Sequence, residues 1–170
     1  PGTKPLDTAA RICIFIVLVA SYDLLLGYTG IVSFAHTMFF GIGAYGVALA
    51  LGSLGASFGA ILIGVLAGTA LSCALALAIG LFSLRVKAIF FAMVTLAVAS
   101  AFAVLVSQLS SITGGEDGLT YRIPRELTPA FRLTDMRILD VRLDGRLLAY
   151  YLVFFSALVL FLVMLRIVNS

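Results

Sequence analysis

The chain has 170 residues, of which 62% are hydrophobic and 11% charged, against about 45–50% and about 25% in soluble domains. A mean hydropathy of +1.19 excludes a water-soluble globule, and it excludes disorder, which combines low hydrophobicity with high net charge. The net charge of +3 comes from arginines scattered among acids, so no nucleic-acid partner is expected.

What remains is an all-α, polytopic transmembrane helical bundle, a single membrane domain over residues 1–170. Apolar runs of the length that a spanning helix needs, about 20 residues, fall at 9–27, 31–52, 58–84, 88–112 and 147–168. The first run ends near Ser21-Tyr22-Asp23. An acid at mid-membrane costs about 2.5–3.5 kcal/mol on insertion scales. Asp23 near a span end costs less, and it reads either as lining a polar pathway or as an interfacial, hydrogen-bonded side chain.

Only Tyr28-Thr29-Gly30 separates the first run from the second, which Gly41, Gly43 and Gly46 interrupt. A broken or re-entrant second segment is therefore open. Irregular backbone at membrane depth survives only where protein or a watery cavity satisfies it, so a break would point to a pathway. The glycines let a neighbour or a substrate approach the backbone. Ser33, His36 and Thr37 add polar groups there, beside the apolar Phe34, Phe39 and Phe40. A tight helix crossing explains the same glycines without a substrate. His36 is the single histidine, too little for a metal site without other ligands.

The third run carries small residues every fourth position, Ala60, Gly64, Gly68, Ser72, Ala76 and Gly80, and the fourth repeats the pattern with Thr95, Ala99, Ala103 and Ser107. Such stripes read as helix–helix seams, because in lipid the gain on association is close van der Waals contact. Thr113 to Thr120 reads as a capped helix end and turn. Residues 137–146, with an Asp-Gly pair, read as a short hairpin or an interfacial stretch.

Arg85 and Lys87 form the compact basic loop, which the positive-inside tendency places in the cytoplasm. Residues 113–146 then form an extracytoplasmic loop, whose six arginines and six acids have little say in orientation. Arg166 returns to the cytoplasmic end of the fifth span. Five full spans put Lys4 and Arg11 outside, unless an earlier helix precedes them or the second segment is re-entrant. Cys13 and Cys73 lie in apolar runs and read as small buried hydrophobes. No serine has the setting of a nucleophile elbow, and no phosphate-cradling Gly-x-x-x-x-Gly-Lys-Ser/Thr occurs. No catalytic residue, metal or cofactor is expected, and any ATP is hydrolysed by another subunit. Pro1 without a preceding Met, and Ser170 directly after an apolar run, read as a piece of a longer chain.

The segment Gly27-Tyr28-Thr29-Gly30-Ile31-Val32-Ser33-Phe34-Ala35-His36, continued by Thr37-Met38-Phe39-Phe40-Gly41-Ile42-Gly43-Ala44-Tyr45, resembles the signature of inner-membrane permease subunits of branched-chain amino acid ABC importers. Leu84 to Ala97 and Thr113-Gly114-Gly115-Glu116-Asp117-Gly118-Leu119-Thr120 continue the likeness in the same order. The resemblance implies a bacterial inner-membrane import pore shared with a second permease subunit, two cytoplasmic ATPases and a periplasmic amino-acid-binding protein. It implies a pathway segment of Gly27, Tyr28, Gly30, Ser33, His36, Thr37, Phe40, Gly41, Gly43 and Tyr45, with Asp23 beside it by the polar-residue argument alone. Asp23 departs from the uncharged amide or small residue of many relatives. Glu116 and Asp117 are candidates to meet the delivery protein. Relatives continue past the last span into a cytoplasmic coupling segment, so this stretch by itself is expected not to couple to ATP. Related permeases carry urea and short amides. From other classes come an ion-coupled secondary transporter using Asp23, and a structural membrane subunit without a pore.

Overall fold

The structure, a computed structural model, describes residues 3–83, 87–128 and 145–169. Helices α1 (Thr3–Thr29), α2 (His36–Leu54), α3 (Phe58–Ser83) and α4 (Ala88–Gln108) follow one another, then a single turn α5 (Ser110–Thr113), 3-10 turns at Gly115–Asp117 and Arg125–Leu127, and α6 (Gly145–Val168). Five of these helices are long and apolar enough to cross a membrane. Large apolar side chains stay exposed around them, among them Phe15, Leu66, Phe82, Ile89 and Phe155. In water that surface would be untenable. Against lipid tails it costs nothing, because hydrocarbon is as apolar as a protein core.

Where each helix stops is local chemistry. α1 ends at Gly30, whose φ of +63° is a left-handed conformation that only glycine adopts freely. The Gly30 amide donates to Leu26 O at 2.9 Å, while the Thr29 hydroxyl donates to Leu25 O at 2.6 Å and accepts from the Ile31 amide at 3.3 Å. α2 stops at Gly55 with φ +85°, and Ser57 Oγ accepts from the Ala60 amide at 3.2 Å, a serine cap on the start of α3. The short connection makes α2 and α3 a helical hairpin.

Gly41, Gly43 and Gly46 do not break the second span, since α2 runs unbroken through all three. A glycine costs a helix about 1 kcal/mol, whereas a freed backbone group in hydrocarbon costs several. The interruption lies ahead of α2 instead, where residues 30–35 are non-helical. The fourth run is likewise two pieces, because Leu109 (φ −79°, ψ +48°) leaves helical geometry between α4 and α5.

Two compact units can be recognised. Leu25–Ile123 is centred on α2, which packs along α3 and touches α4. Its core is Ala35, Met38 and Ile42, covered by Phe39, Leu75, Ile79, Val98, Ala99 and Phe102. The other unit comprises Pro1–Leu24 and Pro124–Ser170. In it the turn Arg125–Leu127 packs on α6, and Tyr150 stacks on Phe154 with ring centroids 6.3 Å apart. Cys13 is half-buried and Cys73 exposed, both as free thiols. The expectation of a buried Cys73 fails because an apolar run marks a membrane helix without marking its inward face. Arg85 and the segment 129–144, with most of the 137–146 stretch, lie outside the described residues.

Candidate functional site

The non-helical residues 30–35 and the start of α2 build the site. Ser33 is 7% exposed and Ala35 1%, so the segment is packed into its unit on either side of Phe34, which is 49% exposed. The Phe34 amide, which has no helical partner, donates to Thr95 Oγ1 at 3.2 Å. Thr95 is fully buried, and its hydroxyl donates to Ala92 O at 2.9 Å. Thr95 stands seven residues into α4, about 10 Å along its axis at 1.5 Å per residue. Irregular backbone is thus held two turns inside an apolar span.

α2 starts at His36 from an Ala35 N-cap with no side-chain cap. His36 is half-buried there, Thr37 and Phe40 are exposed, and Met38 is buried. Beyond this turn α2 and α3 cross backbone to backbone. A Cβ at Gly64 would stand 2.6 Å from Val47 Cα, one at Gly46 2.8 Å from Gly64 O, and one at Gly68 3.2 Å from Gly43 Cα. Gly41 faces Phe102 at 3.6 Å.

Next to the crossing a cavity of about 510 Å³ opens between α2, α3 and the α4–α5 junction, with Tyr45, Leu49, Gly64, Gly68, Phe102 and Thr113 in its wall. The wall is hydrocarbon apart from a few hydroxyls. Ser53 Oγ is spoken for by Leu49 O at 2.8 Å. Thr113 Oγ1 donates toward Val106 O (2.5 Å) and Leu109 O (2.8 Å) and accepts from the Gly115 amide at 3.3 Å.

Of the other residues singled out by sequence, Gly27 and Tyr28 are exposed at the end of α1, and Gly43 and Tyr45 are half-buried on α2. Asp23 is exposed on α1 and belongs to the other unit. Along the α3 stripe Gly64 and Gly68 are buried, Ser72 is half-buried and Ala76 exposed, and a Cβ at Gly80 would meet nothing within 4 Å. On α4 Thr95 is buried, Ala99 half-buried, and Ala103 and Ser107 exposed. Glu116 and Asp117 sit in a 3-10 turn, with Asp117 exposed. Gly114 ends α5 in the left-handed region at φ +76°, its amide bonded to Ser110 O. Among the described residues no group of three or more His, Cys, Asp and Glu could hold a metal ion.

Two hydroxyls do more than the sequence shows. Thr95 reads as one small residue in a stripe and Thr113 as part of a turn, yet each is a buried hydrogen-bonding anchor. The available signal was a threonine in an otherwise hydrocarbon run, where a hydroxyl needs a partner.

The family described as branched-chain amino acid transport system / permease component matches the chain over residues 5–170. No curated protein and no solved structure matches it.

Proposed function

The chain belongs to the permease component family of branched-chain amino acid transport systems, and from that premise we propose that it is a permease subunit of an ATP-driven importer of leucine, isoleucine and valine. It is a multi-pass membrane protein whose family consists of transport components. Its place is the bacterial inner membrane, beside a second permease subunit, above two cytoplasmic ATPases and below a periplasmic amino-acid-binding protein. The observation that carries the reading is the irregular stretch 30–35, held about 10 Å inside the α4 span by the Phe34–Thr95 hydrogen bond. Non-helical backbone at that depth is tolerated where protein buries it or where it lines a watery passage; Ser33 and Ala35 supply the buried side, and the half-exposed Phe34 between them is the face read here as turned to the passage.

In this reading the start of α2 forms one wall of the passage. The positive end of the α2 dipole faces the carboxylate of a passing amino acid, and Phe34 and Phe40 offer it apolar surface. The delivery protein selects the substrate, so transient contact suffices. ATP binding and hydrolysis on the partner subunits move the permease pair between outward-open and inward-open states. Lys87 lies on the cytoplasmic side and Glu116 and Asp117 on the outer side, within reach of the delivery protein.

The assembled transporter in liposomes, loaded with ATP on the ATPase side, is offered labelled leucine and labelled urea. ATP-dependent leucine uptake supports the proposal. Urea uptake alone replaces the substrate and keeps the architecture. Leucine uptake that follows a proton gradient and ignores ATPase inactivation overturns the importer.

A further inference from the structure

We propose that Thr95 is a positioning residue, a latch whose hydroxyl holds the non-helical segment 30–35 against α4 and so sets the closed state of the passage; this rests on the reading of that segment as pathway. The argument starts from the two bonds at one oxygen. Thr95 Oγ1 donates to Ala92 O at 2.9 Å and accepts from the Phe34 amide at 3.2 Å. The first bond is internal to α4 and persists whatever the segment does. The second joins residues 61 apart in sequence and is the one that movement of the segment breaks.

That division makes this one hydrogen bond reversible at low polar cost. When Phe34 leaves, the Thr95 hydroxyl keeps Ala92 O, so no polar group is orphaned on α4. On the segment a single amide is released, and water or a polar substrate in an open passage can accept from it. With the passage closed and dry, the Phe34 amide has the Thr95 hydroxyl as its acceptor, and an unmet amide in that setting is costly. The bond therefore favours the arrangement in which the segment lies against α4, the one the proposal identifies with the closed passage. Because the donor is backbone and Phe34 is half exposed, the latch does not depend on which side chain stands at position 34. A reporter can be placed there.

The test uses the assembled transporter in liposomes, with Cys13 and Cys73 replaced by alanine and Phe34→Cys as reporter. Two readouts are taken: the rate at which a membrane-impermeant maleimide labels position 34, and the ratio of ATPase rates with and without the loaded delivery protein. Thr95→Val keeps the shape and removes both bonds. It is expected to raise the labelling rate and to lower the stimulation ratio, each by about fivefold, the factor that one hydrogen bond of ordinary net strength puts on a two-state equilibrium. Thr95→Ser keeps the hydroxyl and is expected to leave both readouts at the parental level. Parental labelling and stimulation in Thr95→Val overturn the latch. So does failure of both Thr95→Val and Thr95→Ala to assemble, which makes Thr95 a structural residue. Absence of ATP-driven leucine uptake in the transporter with Phe34 unchanged refutes the function, and the labelling comparison then still decides whether Thr95 holds the segment against α4.

Discussion

Gly64 offers the sharpest test of how the α2–α3 hairpin is held. A Cβ there would lie 2.6 Å from Val47 Cα, 2.7 Å from Gly46 O and 3.0 Å from Val47 N, where non-bonded carbons settle at about 3.5–4.0 Å. All three obstacles are backbone atoms of α2. No rotamer change relieves them, so in Gly64→Ala the helices must part by about 1 Å, which forfeits about a quarter to a half of each contact's dispersion well along the seam. Overpacking of this kind costs about 1–3 kcal/mol. Alanine in place of a helical glycine returns about 0.5–1 kcal/mol, leaving a net loss of up to about 2.5 kcal/mol and about 1 kcal/mol at mid-range. Gly80→Ala meets nothing within 4 Å and keeps only the gain. The assay heats detergent-solubilised transporter in steps and measures the intact complex by size-exclusion chromatography. Gly64→Ala should lose the complex at a lower temperature than the parent, and Gly80→Ala at the same temperature or a higher one. Equal behaviour of the two variants would refute the argument, since they differ in crossing geometry and share both spacing and chemistry.

Gly114→Ala puts a Cβ into a left-handed backbone position, a penalty of about 1–2 kcal/mol, and drives it into the Gly118 carbonyl; faster nicking of the loop by protease, with α4 intact, is the expected result. Charge reversal at Glu116 and Asp117 together should weaken ATPase stimulation by the loaded delivery protein and leave the unstimulated rate unchanged, so unchanged stimulation removes the docking role. Asp23→Asn should leave ATP-driven leucine uptake at the parental level, because Asp23 is exposed on α1 and the proposed ATP-driven mechanism needs no coupling ion; loss of uptake together with loss of its sensitivity to a proton gradient would favour ion coupling instead.

Much of this was legible without the fold. Run length and hydropathy are one-dimensional properties, and they located five membrane helices because a span must satisfy every backbone group within itself. The turn read at Thr113 to Thr120 holds Gly114, which ends α5 at positive φ, where only glycine sits easily. The glycines of α2 misled about continuity: in sequence a glycine is a potential breaker, but lipid holds the helix together by making a broken one far more expensive.

Tertiary structure alone decided which small residues touch. Spacing of four places Gly64, Gly68 and Gly80 on one face of α3, but it does not say where along the axis α2 crosses, and the crossing takes the first two and passes the third by. In water a buried face would have shown itself by contrast with a polar one. In lipid both faces are apolar, so Cys73 could not be assigned a side, and the chain carried no mark of its interior. Thr95 is the extreme case. Its role depends on a partner 61 residues away, on the depth at which residues 30–35 enter the bundle, and on the backbone amide of Phe34. The sequence alone does not display that amide as lacking a helical partner.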